Sequence, residues 1–173
     1  MRVINSYLMK KFFLLAVILL SIQTSFSQNM NNEKMGAVLE KVADSIQGDN
    51  GRWQLKIKDV ILICLTDTNH NRMRIISPIT EAKRLDEKLK SAALVANFHT
   101  ALDVKYAIAD DVLWSVFIHP LKELTEAQVK DAIAQVYSAN ITFGTTFSST
   151  SLVFPGSKKA EEKKPKELLK EEY

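Results

Sequence analysis

Six consecutive apolar residues, Val60 to Leu65, constrain the fold more than any other stretch of the chain. The run Val-Ile-Leu-Ile-Cys-Leu has no polar interruption and is too short to cross a membrane. A half-buried strand would alternate apolar with polar residues, whereas a strand covered on both faces forms a continuous apolar run. We therefore expect this segment to be a central strand of a sheet, with both of its faces covered.

Two alternating segments on either side of this run predict neighbouring strands. Apolar and polar residues alternate over 53–57 (WQLKI), and the same pattern appears over 72–76 (RMRII). Short polar turns at Lys58-Asp59 and at 67–71 separate these segments from the central run. Three strands joined in this way are typical of an antiparallel meander.

Apolar residues at helical spacing predict one helix before the meander and another after it. The first helix follows Asn31-Asn32 and ends at Gly48. The second begins at Ser77-Pro78 or at Thr80 and continues to about Phe98. The apolar stripe of the first helix consists of Met35, Val38, Leu39, Val42 and Ile46. Each helix therefore offers an apolar side to the sheet.

The second half of the domain predicts two further strands and a third helix. The strands cover 104–108 and 112–118, with a turn at Asp110-Asp111 between them. Thr125 and Gln128 form a capping box that begins the last helix. The expected fold is therefore α+β, with an antiparallel five-stranded sheet and three helices in the order α-β-β-β-α-β-β-α.

Residues 1–27 are expected to be a secretory signal peptide rather than part of the fold. Three basic residues precede a run of nine apolar ones, and Ser25 and Ser27 supply small residues before a cut ahead of Gln28. The alternative is an uncleaved membrane anchor, although a spanning helix needs ~20 apolar residues. The mature protein is then expected in the periplasm or outside the cell, with no stable membrane insertion.

Removal of the signal peptide leaves a nearly neutral chain. Of the 23 Lys and Arg residues, three lie in the signal peptide, so 20 remain beside 20 Asp and Glu residues. This balance disfavours a nucleic-acid partner, which usually requires a basic excess. We expect residues 28–154 to form one domain, and residues 155–173, rich in Lys and Glu, to be a disordered tail.

No group of residues predicts a catalytic centre, a cofactor or a metal site. His70, His99 and His119 lack the spacing of metal ligands, and the sequence has no Gly-rich phosphate loop. Cys64 lies within the apolar run, where the electropositive setting that lowers a thiol pKa is absent. We expect a non-enzymatic protein. The alternative is a small hydrolase or ligand-binding protein that uses His99, His119 or Cys64.

The aromatic residues Trp53, Trp114 and Phe98 are the candidate partner-binding residues. Trp53 begins the first predicted strand and Trp114 lies in the fifth, so both belong to the core unless a sheet face remains uncovered. Three helices are few for a sheet with apolar residues on both faces, and an uncovered apolar face usually marks a partner surface. We therefore expect a protein partner and a homodimer.

The element order resembles that of the YbjN-like domain, a relative of the type III secretion chaperone-like fold. The resemblance covers about residues 31–139. It is carried by 53–57 (WQLKI) with the buried strand that follows, by 73–79 (MRIISPI), by 94–98 (LVANF), and by 103–114 with the last helix. It implies a compact α+β domain that pairs with itself and holds other polypeptides. In the secretion chaperones, the partner chain winds round a dimer in extended form.

The first prediction concerns export. When the full chain is expressed in a Gram-negative host, we expect cleavage between Ser27 and Gln28 to leave 146 of the 173 residues. Mass spectrometry of the protein from the periplasmic fraction measures this directly. The variant Ser27→Phe places a bulky residue before the cut and should remain uncleaved. An uncleaved wild-type chain would contradict the prediction.

Overall fold

The structure, a computed structural model, describes Lys11 and residues 29–150. The rest of the expected signal peptide and the expected tail (155–173) lie outside the described residues. No helix in the described part is long and apolar enough to span a membrane. The helices are α1 (Asn32–Val42), α2 (Glu87–His99) and α3 (Glu126–Ile141). The strands are β1 (Ser45–Asp49), β2 (Arg52–Ile57), β3 (Val60–Asp67), β4 (Arg72–Glu81), β5 (Lys105–Ala109) and β6 (Val112–His119).

The strands form one sheet in the order β1-β2-β3-β4-β6-β5. Every neighbouring pair is antiparallel, and the apolar run of β3 lies in the interior of the sheet, as predicted. The α+β class, the three helices and the antiparallel sheet are therefore confirmed. The prediction of five strands is wrong, because the sheet of the described chain has six.

The additional strand, β1, uses residues that the helical pattern assigned to the end of α1. Ile46 fits the apolar stripe of α1, but that helix ends at Val42. From Asp44 the chain joins the sheet instead, since the Asp44 N–H donates to the Lys56 carbonyl at 2.9 Å. Pairing along five residues of β2 replaces a last helical turn, so tertiary pairing overrides the local helical pattern.

Near its end, β1 contains Gly48, which lies opposite Trp53 of β2. Its φ is +89°, a region that L-residues rarely adopt. A Cβ atom at this position would lie 2.3 Å from the carbonyl oxygen of Arg52. The glycine that was expected to end a helix therefore permits a close approach of two strands.

The strand β4 extends through the residues predicted to begin the second helix. Ser77-Pro78 lies within β4, and the register with β6 shifts between Pro78 and Thr80. Proline cannot donate to a ladder, and such an irregularity accommodates it. The helix α2 begins only at Glu87, where the Asp86 carboxylate caps its first turn. The predicted starts at Ser77-Pro78 and Thr80 are therefore wrong.

The helices α1 and α3 cover one face of the sheet. The apolar stripe of α1 is buried at Met35, Val38 and Leu39. The predicted capping box of α3 is present, with Thr125 accepting from the Gln128 N–H at 3.2 Å. The buried apolar residues that the strands supply to this core are Trp53, Leu55, Leu62, Cys64, Met73, Ile75, Tyr106, Leu113 and Phe117.

Two buried serines join α3 to the middle of the sheet. The Ser77 hydroxyl donates to the Ile61 carbonyl at 2.6 Å and accepts from the Asn140 amide at 2.8 Å. The Ser115 hydroxyl donates to the Val136 carbonyl at 3.1 Å. Because their hydrogen bonds are satisfied, these polar groups fix the position of α3 without the cost of an unpaired buried hydroxyl.

The helix α2 lies beside the edge strand β5. Its buried residues are Ala93 and Ala96. The Asn97 side chain accepts from the Tyr106 N–H at 2.7 Å and donates to the Tyr106 carbonyl at 3.1 Å. These two backbone groups of Tyr106 point away from β6, toward the edge of the sheet. A further strand would bond to them, and the Asn97 side chain does so instead.

Within residues 29–150, the central strand β3 is covered on only one face. Leu62 and Cys64 are fully buried under the helices, whereas Ile61, Ile63 and Leu65 on the opposite side are half-buried. No described helix packs on that side, since α1 and α3 share the other face and α2 lies at the edge. The expectation that both faces of the run are covered is therefore not met within residues 29–150.

Candidate functional site

The main candidate site is the sheet face that α1 and α3 leave uncovered, which we call the open face. At its centre, Ile63, Ile76 and Val116 lie opposite one another on β3, β4 and β6. The apolar residues of the open face, all half-buried or exposed, are Ile61, Ile63, Leu65, Ile76, Pro78, Trp114, Val116 and Ile118. A contiguous apolar surface of this kind is unusual on a monomer and typically marks an interaction site.

The open face is apolar at one end and mixed at the other. Two residues along each strand from the central row, Trp114 on β6 lies opposite Pro78 on β4. Two residues from the central row in the other direction, Arg74 on β4 lies between Leu65 on β3 and Ile118 on β6. Moving along the strands, an occupant would therefore meet two apolar rows and then a row that contains a guanidinium group.

Three basic side chains of the open face make neither an ion pair nor a side-chain hydrogen bond with the described residues. They are Arg52, Lys56 and Arg74, and all three are exposed. Sequence reasoning did not select them as site residues. Their alternation with buried residues, as in RMRII over 72–76, was the feature that could have placed them together on one face.

The two predicted tryptophans lie on opposite faces. Trp53 is 4% exposed and lies beneath α1, where a Cβ atom on Gly36 would be 3.7 Å from its ring. Trp114 is half-buried on the open face, and its indole N–H donates to the Ala109 carbonyl at 3.0 Å. Trp53 thus belongs to the core, while Trp114 is available at the candidate surface.

The third predicted residue, Phe98, lies on a separate apolar surface on the outer side of α2. Its side chain is 83% exposed, and Leu94 and Val95 beside it are 69% and 57% exposed. Leu94 and Val95 each lie about one helical turn before Phe98. The three side chains are on the side of α2 opposite Ala93 and Ala96. We call Leu94, Val95 and Phe98 the α2 patch.

The structure does not assemble the residues of the alternative, enzymatic hypothesis. Cys64 is buried on the helix-covered face, where desolvation raises the pKa of its thiol to about 12. His99 lies at the end of α2 with its ring against Phe98. His119 lies at the end of β6, with Nδ1 2.8 Å from the Pro120 carbonyl oxygen. No described histidine is hydrogen-bonded to Cys64, and among the described residues no three His, Cys, Asp or Glu side chains form a metal-sized group.

A shallow cleft of about 360 Å³ beside the start of β5 contains the carboxylates of Asp103 and Asp131. The buried amide of Gln135 donates to both of them, at 3.3 Å and 2.7 Å. Its oxygen accepts from the Asp103 N–H at 3.3 Å. These groups satisfy one another, and they connect α3 to the loop before β5.

Comparisons with known proteins found similar solved structures but no matching family model. No curated protein matches the sequence either. Among solved structures, a chain of the HopA1–SchA chaperone–effector complex has 14% sequence identity and a TM-score of 0.50, with 65% of this chain and 88% of that chain covered. A chain of the ExsC–ExsE complex has 15% identity and a TM-score of 0.47, with 61% and 87% covered.

The chain has a type III secretion chaperone-like fold. This confirms the type III secretion chaperone-like part of the predicted resemblance, and the YbjN-like identity stays a prediction. At 14% identity, the likeness concerns the arrangement of helices and strands. Any function must therefore be argued from the surfaces of this chain.

The second prediction concerns the thiol of Cys64. Because its pKa is raised to about 12, the group stays protonated at pH 8 and, being buried, should not react with a disulfide reagent in the native protein. One thiol per chain should react once the protein is unfolded in guanidinium chloride. Stoichiometric labelling of the folded protein within seconds would contradict this prediction and favour the enzymatic alternative.

Proposed function

We propose that this protein is a non-enzymatic module that binds another polypeptide on the open face of its sheet. The supporting observation is the contiguous apolar surface centred on Ile63, Ile76 and Val116, which no described element covers. Burial of such a surface contributes roughly 25 cal/mol per Å² of apolar area removed from water. The HopA1–SchA structure is a chaperone–effector complex, which agrees with a polypeptide partner for this fold.

The spacing of the side chains on the open face matches that of an extended polypeptide segment. Alternate residues of a strand lie about 6.8 Å apart, so Trp114, Val116 and Ile118 form a line of side chains with that period. The alternate side chains of an extended segment have the same period when the segment runs along the strands. Such a segment can place successive apolar side chains beside successive rows of the open face.

The third prediction tests this surface with Ile118→Asn. Ile118 is 58% exposed on the open face, whereas Ile141 at the end of α3 is 53% exposed on the helical side, so Ile141→Asn is a matched control. The probe is a fluorescent, reduced and carboxymethylated protein that cannot refold, and fluorescence anisotropy measures its binding. We expect Ile118→Asn to weaken binding about tenfold, since a well-packed apolar side chain contributes roughly 1–2 kcal/mol at an interface.

The Ile141→Asn variant should bind the probe as the wild type does. Both positions are exposed, so neither substitution should lower the midpoint of urea unfolding by much. Equal weakening by both substitutions would assign the binding to general surface hydrophobicity. Absence of binding by the wild type would overturn the proposed function.

The α2 patch is proposed as the interface of a homodimer. Leu94, Val95 and Phe98 have no charged residue among them, so a complementary surface must itself be apolar. A second copy supplies such a surface, because two identical helices related by a two-fold axis bring the same residues together. The YbjN-like identity that the element order indicates would also imply a domain that pairs with itself.

The fourth prediction uses Phe98→Glu. At 83% exposure, Phe98 contributes little to the core, so the variant should fold normally. Light scattering of the mature protein should give twice the chain mass for the wild type and the chain mass for Phe98→Glu, because the dimer would bury an unpaired carboxylate. The control Ile141→Glu should remain a dimer. A monomeric wild type would exclude the homodimer and leave the open-face proposal intact.

We also propose that the module acts outside the cytoplasm, in the periplasm or beyond it. This proposal depends on the basic, apolar and small-residue order of residues 1–27. Its polypeptide partner would then be another protein of the envelope or of the secreted fraction.

A further inference from the structure

Arg74 places a positive charge among the apolar residues of the open face. Arg74 belongs to β4, which pairs with β3 and β6 in the interior of the sheet. Its neighbours across the strands are the apolar Leu65 and Ile118. It is exposed and has no ion pair or side-chain hydrogen bond within residues 29–150. Among the described residues, no side chain pairs with this guanidinium group, which leaves water to solvate it.

The described acidic side chains near Arg74 do not form an ion pair with its guanidinium group. The nearest acidic positions on the open face are Asp49, which lies opposite Arg52, and Asp67, which lies opposite Arg72. Asp67 is already bonded to His70, with 2.7 Å between the carboxylate and Nδ1. On the helical side, by contrast, basic side chains have partners, as Lys41 and Lys130 do at Glu126.

A partner that covers the open face would remove water from Arg74. Burial of a guanidinium group without an anion is costly, whereas a bidentate carboxylate offsets much of this cost and fixes the geometry. An arginine suits this task better than a lysine would, because its planar fork matches a carboxylate. The partner segment should therefore carry an acidic side chain where it crosses the row of Arg74.

The spacing of the rows then defines a sequence pattern. An extended segment that runs along the strands faces the row of Trp114 and Pro78, next the row of Ile63, Ile76 and Val116, and finally the row of Arg74. Its facing side chains are every second residue. We infer that the open face selects extended polypeptide segments in which two alternate apolar residues are followed, or preceded in the reverse orientation, by a carboxylate. This inference rests on the proposed function, because it specifies the partner of the same surface.

Synthetic peptides test the inference. The probe is a fluorescently labelled peptide with the core Glu-Ser-Val-Ser-Leu-Ser-Glu between Gly-Ser spacers, which offers a carboxylate in either orientation. Two matched peptides carry Gln or Lys in place of both Glu residues. Anisotropy at 50 mM and 300 mM NaCl gives the Kd of each peptide for the wild type, for Arg74→Gln, for Arg74→Glu and for the control Lys130→Gln, whose lysine lies on the helical side.

We expect the wild type to bind the Glu peptide about tenfold more tightly than the Gln peptide, with a preference that falls at high salt. Arg74→Gln should lose this preference while it still binds the Gln peptide. Arg74→Glu should favour the Lys peptide, and Lys130→Gln should behave as the wild type does. Restored binding of the Lys peptide by Arg74→Glu is an outcome that a misfolded variant could not give.

Three other results would overturn the inference, and they have different consequences for the proposed function. If all three peptides bind equally, and Ile118→Asn weakens each of them, the open face binds polypeptides without selecting a carboxylate. If the Glu preference persists in Arg74→Gln, another cation makes the selection. If the wild type binds neither the peptides nor the unfolded reporter protein, both the inference and the proposed function fail.

Discussion

The packing of two helices against one face of a six-stranded sheet determines most of the properties of this molecule. The sheet is apolar on both faces at its centre, where the fully buried Leu62 and Cys64 alternate with the half-buried Ile61, Ile63 and Leu65. The apolar sides of α1 and α3 are sufficient for one face, and α2 lies beside the edge strand β5. The described chain therefore buries one apolar surface and presents another to solvent.

The buried polar groups explain why the helices stay on their side of the sheet. Ser77 and Ser115 point into the helical layer and are bonded to Ile61, Asn140 and Val136. Sliding α3 along or off the sheet would break the Ser115–Val136 and Asn140–Ser77 hydrogen bonds, at a cost of roughly 1–3 kcal/mol for each buried polar group left unpaired. The position of α3 on one face of the sheet is consequently a stable feature of the fold.

Sequence reasoning was successful where local chemistry and the final contacts agree. The capping box at Thr125 begins α3, and the continuous apolar run identified an interior strand. It was wrong where pairing with another strand decides the outcome. Ile46 fits a helical stripe, yet β2 draws it into a strand, and Ser77-Pro78 fits a helix start, yet β6 extends β4 through it.

The same limit applies to the candidate site. Among the predicted partner-binding residues, the sequence could not tell that Trp53 lies beneath α1 while Trp114 lies on the open face. The alternation around Trp53 does not say which side the helices cover, and the segment of Trp114 is apolar on both sides. A continuous apolar run also cannot show which of its two faces is covered. The importance of Arg74 depends on its cross-strand neighbours Leu65 and Ile118, which are distant in sequence and are set only by the register of the sheet.

The bond pair between Asn97 and Tyr106 has a consequence for assembly. A side-chain amide carries the same donor and acceptor as a peptide group, so the β5 border of the sheet is already terminated at this point. At Tyr106, a strand of a second subunit therefore finds no free backbone group with which to pair. The opposite border, β1, contains Gly48 in a left-handed conformation and ends in an aspartate, both unfavourable to a regular continuation. The molecule can thus keep a large apolar surface in water without offering an easy template for aggregation.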